Sequence, residues 1–206
     1  FHQQRDGYVD NLAGGDLNGK DTFAVRGSLR LDLGEASGLD LIVNHQKDTP
    51  PGTAFRSTGY YTPVRPRIFI APLPTRGGST DVFDRTADLN RGDDLGLDRT
   101  VTGVSLLGQF WLSDDWSLST ITGWREFDSH EEFDGDGSQL SLIESAEIAE
   151  GRQFSQEVRF NFDAGGAFRG FVGGSWFSES GSQQVPIRTD ERSLYAQIRK
   201  DGQADE

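Results

Sequence analysis

The sequence predicts an all-β fold: an antiparallel up-and-down transmembrane β-barrel segment of about six to eight strands, with long extracellular loops, cut from a larger barrel. Three observations predict it. Stretches of the chain alternate apolar and polar residues over barrel-spanning lengths, the connections between them are short and long in turn, and six of the seven prolines fall in one long connection.

The alternation is clearest from Thr22 to Leu33, where Phe23, Val25, Gly27, Leu29, Leu31 and Leu33 fall on one face and Thr22, Ala24, Arg26, Ser28, Arg30 and Asp32 on the other. Outer-membrane strands need about 9 to 11 residues, and this stretch is long enough. From Leu39 to Lys47 the pattern repeats, with Leu39, Leu41 and Val43 against Asp40, Asn44 and Gln46, and Ile42 as the exception. Val104, Leu106, Gly108, Phe110 and Leu112 alternate with Ser105 and Gln109. Phe154, Val158, Phe160 and Phe162 alternate with Ser155, Glu157, Arg159 and Asn161. Segments 116–127 and 169–178 have strand composition, rich in β-branched, aromatic and glycine residues, but their register is open. A truncated strand is expected to end near Val9, and another to begin between Ser193 and Arg199.

The connections Gly34–Gly38, Ser113–Asp115 and Asp163–Ala167 are short and rich in Gly, Ser and Asp, as tight turns require. Asn11–Lys20, a long loop over 49–99, and Ser129–Gly151 lie between them. Short periplasmic turns and long extracellular loops are the asymmetry of outer-membrane barrels. Pro50, Pro51, Pro63, Pro66, Pro72 and Pro74 lie in the 49–99 loop, so no proline interrupts a ladder there. Trp111 and Trp116 flank the Ser113–Asp115 turn, where interface aromatics of a membrane girdle would sit; two core tryptophans bracketing a hairpin would give the same spacing. Bacterial barrels have at least about eight strands, so the terminal strands here would present open edges. Residues 1–206 therefore read as a partial barrel domain, with 49–99 as a loop within it.

Composition excludes several classes. No apolar run approaches the roughly 18 to 20 residues of a spanning helix. A mean hydropathy of -0.56 is compatible with a barrel, whose strands keep half their residues polar. The absence of cysteine removes disulfide scaffolds and thiol chemistry. A net charge of -13 opposes phosphate neutralisation, so no nucleic-acid partner is expected. The start at Phe1, with neither export signal nor methionine, is that expected of an excerpt from a longer product.

No enzymatic apparatus is visible. His2, His45 and His130 are scattered, no nucleophile elbow or phosphate-cradling loop occurs, and neither a cofactor nor a metal site is expected. Asp134-Gly135-Asp136-Gly137 has the oxygen spacing of a calcium loop but lacks its later bidentate glutamate, and reads more simply as an acidic loop. Arg91-Gly92-Asp93 spells an adhesive tripeptide that so charged a loop produces by chance. Glu157 and Arg159, two residues apart, are expected to form a charged ladder along one strand face.

The wording of the segments adds a resemblance. Arg5-Asp6-Gly7-Tyr8-Val9-Asp10-Asn11 followed by Asp16-Leu17-Asn18, then Leu118-Ser119-Thr120-Ile121-Thr122-Gly123-Trp124-Arg125, Gln153-Phe154-Ser155-Gln156-Glu157-Val158-Arg159-Phe160 and Phe171-Val172-Gly173-Gly174-Ser175-Trp176-Phe177 resemble the barrel of TonB-dependent outer-membrane receptors. Each motif is short; their order across residues 1 to 180 carries the likeness. The resemblance implies a barrel of about 22 strands with a plugged lumen. It further implies import of a scarce solute, such as a ferric siderophore, energised through TonB. The partners implied are outer-membrane lipid, the rest of the barrel and its plug, TonB and the imported solute, in the cell outer membrane of a Gram-negative bacterium. Neither the TonB box nor the plug is present in this sequence, and Lys200–Glu206 departs from the expected strand.

Within the 49–99 loop, Tyr60, Tyr61, Arg65, Arg67 and Phe69 gather aromatic and basic groups suited to an anionic, ring-bearing ligand. Ordinary solvated loop residues would show the same composition. The alternative to a receptor is a structural, porin or autotransporter-type barrel without TonB coupling.

Overall fold

A computed structural model describes residues 1–34, 36–57, 81, 83–139 and 141–189, with the backbone of two short strands at 60–61 and 69–70. Among these the protein is all-β, and a single 3-10 turn at Gly92–Asp94 is the helical element. The strands are β1 (His2–Arg5), β2 (Val9–Asn11), β3 (Asp16–Leu17), β4 (Lys20–Asp32), β5 (Gly38–Asp48), β6 (Tyr60–Tyr61), β7 (Phe69–Ile70), β8 (Thr86–Ala87), β9 (Gly96–Trp111), β10 (Trp116–Asp134), β11 (Glu144–Asp163), β12 (Arg169–Gln184) and β13 (Ile187–Arg188).

One antiparallel sheet takes most of the chain, in the order β1-β4-β5-β9-β10-β11-β12, with β13 extending the pairing on β11. Its neighbours are sequential hairpins apart from two excursions, through β2 and β3 between β1 and β4 and through the long connection between β5 and β9. The sheet is open: β1 and β12 are its edges. The connections β4–β5, β9–β10 and β11–β12 lie at one end. Those spanning 6–19, 49–95 and 135–143 lie at the other.

Backbone pairing settles the facing of every long strand. Leu29 pairs with Leu41, and Leu41 with Leu106; Val43 pairs with Val104, and Val104 with Trp124; Leu118 lies between Phe110 and Phe160. Even-numbered residues of β10 therefore share the apolar face, which takes in Thr120 and Thr122 and leaves Ile121 on the other. Val172, Gly174 and Trp176 continue the apolar face on β12, while Phe171 and Phe177 lie opposite. Ile42 keeps the parity of its strand and joins the polar face between Ser28 and Ser105.

The apolar face is uncovered; Leu29, for example, is 66% exposed. Aromatic clusters bound it at two levels. Near the short turns Trp116, Phe162 and Phe168 stack in sequence, with ring centroids 5.0 and 6.1 Å apart. Eight residues up β10, Trp124 pairs with Phe154, whose ring lies 5.4 Å from that of Trp176. Polar groups within the band partner each other: Thr122 donates to Gln156 at 2.7 Å. Beyond Trp124 the same face turns charged, at Glu126, Asp128, Glu150 and Arg152.

Two boundaries differ from the sequence expectation. The first strand ends at Arg5, and Val9 belongs to a second sheet. Gly7 lies against Asp16 and Leu17 so closely that a Cβ would stand 2.5 Å from the Asp16 Cβ, and this close approach lets the chain leave β4. Segment 129–151 is also mostly strand, its ladder running unbroken to Asp134 opposite Glu144. Main-chain hydrogen bonds extend this hairpin without an apolar stripe, so alternation does not register it. The expected strand from Ser193 to Arg199 and the Lys200–Glu206 end lie outside the described residues.

Candidate functional site

The polar face of the sheet carries a ladder of ion pairs. The Arg30 guanidinium donates to Asp32 at 3.0 Å and to Asp40 at 3.1 Å, and Arg159 donates to Glu157 at 2.6 Å, in line with the expected charged ladder. Nearer the long connections Arg99 donates to Asp48 at 2.9 Å, while Gln46 donates to the same carboxylate at 2.8 Å. Between these levels lies a depression of about 640 Å3, lined by Phe1, Arg26, Asn44, Gln46, Arg125 and Gln153 among others. Strand pairing sets Arg26, Asn44, Gly103, Arg125 and Gln153 in one row across it.

Above the sheet the long connections fold on each other. Strands β3, β2 and β8 form a small sheet whose Val9, Leu17 and Ala87 are buried together with Leu89 and Leu95 of the chain that follows β8, with Ala54 packed against them. Asn11, also buried, acts as a strand would: its side chain accepts the Leu89 N–H at 2.8 Å and donates to the Leu89 carbonyl at 3.3 Å. The side chain thereby adds one more link to the parallel pairing of β2 and β8, in which Asn11 stands opposite Ala87.

A charged cluster ties this unit to the tip of the β10–β11 hairpin. Arg91 reaches Glu132 and Glu144, each at 3.6 Å, and Arg188 donates to Glu132 at 3.0 Å. Asp134 is buried, and its Oδ1 accepts the N–H groups of Asp136 and Gly137 while Oδ2 accepts that of Asn90, all at 3.1 Å. Burial, and next the charge of Asp136, push the Asp134 carboxyl up to about 7 against the pull of those donors. Asp136, which accepts from Ser138, Leu142 and Ile143, is raised by burial as well.

These contacts account for both loop motifs. The carboxylates of Asp134 and Asp136 are engaged by backbone donors, and no group of three or more metal-ligating side chains occurs among the described residues. Arg91, at φ 70°, is held by ion pairs, and Gly92, at φ 52°, is buried where a Cβ would stand 2.5 Å from the Ala13 carbonyl oxygen. Arg91 and Gly92 are thus held in the packed loop unit, while Asp93 is exposed.

Of the five expected ligand residues, Tyr60 and Tyr61 form β6 and Phe69 lies in β7; Tyr61 pairs with Phe69 and Tyr60 with Ile70. The backbone thus brings three of them onto one small hairpin. Arg65 and Arg67, between its strands in sequence, lie outside the described residues, as do the side chains of the other three. Trp111 and Trp116 do not share a face. Trp111 pairs with Ser117 on the polar side, and the aromatic that matches Trp116 on the apolar side is Trp124.

No family model, curated protein or solved structure matches this chain.

The functional reading therefore rests on the chemistry of the two sheet faces and of the loop unit, beside the order of the resembling segments. No helix among the described residues is long and apolar enough to cross a membrane, which bears on helical spans and not on strands. The row holding Arg26 and Arg125 was missed in sequence because it needs the register of 116–127, and Arg125 stands beside Trp124 with no alternation to place it.

Proposed function

We propose that the chain is part of the wall and outer loops of a TonB-dependent outer-membrane receptor, a transporter that binds a scarce solute and imports it. The observation that carries the membrane part is the uncovered apolar face, bounded by aromatic clusters at Trp116 and Trp124. The eight residues between those clusters span about 27 Å along the strand, or roughly 19 to 22 Å along the membrane normal at a tilt of about 35 to 45°, which lies within an outer-membrane apolar band of about 25 Å. In water so large an apolar surface would drive association, whereas in lipid it is the solvated face. On this reading the 34–38, 113–115 and 163–167 turns are periplasmic and the packed loops extracellular.

The receptor reading is supported by the order of the resembling segments and by loops that form a folded unit with its own core. A porin or autotransporter-type barrel would share the apolar band, so the decisive measurement is transport. The full-length protein, reconstituted in liposomes, is expected to pass no small sugars. In cells, uptake of labelled ferric siderophores should require both this protein and TonB. Free sugar permeation, or uptake that persists without TonB, rejects the receptor in favour of the pore.

A further inference from the structure

The depression on the polar face holds two cations that the rest of the protein leaves uncompensated. Arg30, Arg99 and Arg159 on this face are each paired with a carboxylate. Arg26 and Arg125, both lining the depression, make no ion pair or hydrogen bond among the described residues. In a chain of 33 acidic and 20 basic residues, carboxylate partners are not scarce. They are absent from this place: the row of Arg26 and Arg125 and the next row of the same face on either side, followed from β4 to β11, contain no acidic residue. They hold instead the amides Asn44, Gln46 and Gln153 and the hydroxyls Ser28, Ser105 and Ser155. Glu179, next along the row on β12, forms no ion pair with Arg125.

We propose that this row is an oxyanion site, at which Arg26 and Arg125 together bind a compact solute carrying two or more carboxylate or phosphate groups. Three strand spacings of about 4.8 Å separate their backbones, roughly 14 Å in all, a gap that two arginine side chains and a bridging anion can close. Gly103, at the centre of the row, has no side chain to fill the middle of that gap. Guanidinium groups offer forked N–H pairs to each oxyanion, and the neighbouring amides supply further donors without adding charge. The proposal goes beyond the receptor reading and does not rest on it, because it requires only the sheet and its register.

The test is calorimetric, on the full-length protein in detergent at low ionic strength, with inorganic pyrophosphate and tricarballylate as separate probes. At least one should bind, and the better of the two reports whether phosphate or carboxylate is preferred. Arg26→Gln and Arg125→Gln should each weaken binding about tenfold or more, the loss expected for a charge-assisted hydrogen bond. Arg159→Gln, which removes a paired cation on the same face, should leave binding unchanged. A double Arg26→Lys, Arg125→Lys variant keeps the charge and should retain part of the affinity, showing that the sheet has not been lost. Wild-type affinity in the double glutamine variant, or binding of neither probe, overturns the site. Either result leaves the transport experiment to decide the receptor reading separately.

Discussion

Asp134, 1% exposed, accepts the backbone N–H of Asn90 at 3.1 Å and so pins the long connection to the tip of the β10–β11 hairpin. Burial pushes its carboxyl up to about 7 in the fold, against about 3.9 in an unfolded chain. A raised folded-state value means that the native state holds the proton more tightly. The contribution of this group is fully present below about pH 4 and is lost as pH rises through about 7. Local opening at Asn90, Asp136 and Gly137, followed by amide hydrogen exchange, should therefore be more frequent at pH 8 than at pH 5. Asp134→Asn keeps an acceptor oxygen without the charge and should flatten most of this dependence, with Asp136 leaving a remainder of the same sign. An unchanged profile in the variant would assign the effect elsewhere.

Asn11 supplies both halves of a main-chain pairing to Leu89 from one side chain. Asn11→Ala leaves a buried N–H and a buried carbonyl without partners, at about 1 to 3 kcal/mol each. Asn11→Asp no longer donates and turns a buried carboxylate oxygen towards the Leu89 carbonyl, so it should cost at least as much as alanine. Limited proteolysis of the 83–95 segment should cleave both variants faster than wild type, with Asn11→Asp at least as fast as Asn11→Ala. Cleavage of both at the wild-type rate would mean that the apolar core alone holds the loop.

Arg91 faces two nearly buried carboxylates, Glu132 and Glu144. Arg91→Ala removes a cation from between them, and breaking a buried pair in this way costs about 3 to 5 kcal/mol. Arg188 still compensates Glu132, so the loss should approach the lower figure and fall mainly on Glu144. Adding Glu144→Gln should recover part of it, since the uncompensated charge is then gone. Double-mutant analysis of loop opening measures the coupling; independent, additive effects would contradict the pairing.

How much of this was legible in sequence depended on whether one residue's surroundings were set nearby in the chain. From Phe23 to Leu33 each side chain's face follows from its neighbours two positions away, and the pairing agrees. Thr120, Ile121 and Thr122 invert the usual chemistry of their faces, and Gly173 and Gly174 have no side chain to place, so only cross-strand partners resolve those segments. The charged extension 128–134 is held by main-chain bonds to 144–150, invisible to a pattern built on apolar residues. The loop core joins Leu17 to Leu89, and Asn11 to Leu89 across 78 positions, and nothing local to either residue announces it. The burial of Asp134 is of the same kind. Of the candidate ligand residues, composition found a hairpin's aromatics, while the unpaired Arg26 and Arg125 appeared only when three intervening strand registers were known.

Leu41 and Ile42 are adjacent, both apolar, and on opposite faces, which makes them the sharpest probe of what each face meets. Leu41 lies between Leu29 and Leu106 in the apolar band; Ile42 lies between Ser28 and Ser105 on the polar side. If lipid solvates the first face, Leu41→Arg places a cation in hydrocarbon at about 2 to 4 kcal/mol, depending on depth. Ile42→Arg places the same charge on a face already carrying Arg26 and Arg30, where water or polar partners reach it, and should cost far less. Expressed in the full-length protein, Leu41→Arg should reduce folded, heat-modifiable material in the outer membrane, while Ile42→Arg should stay near wild type. The reverse order would mean that the apolar face is covered by protein and the polar face is the one pressed against an apolar phase, and the membrane orientation proposed for this sheet would have to be inverted.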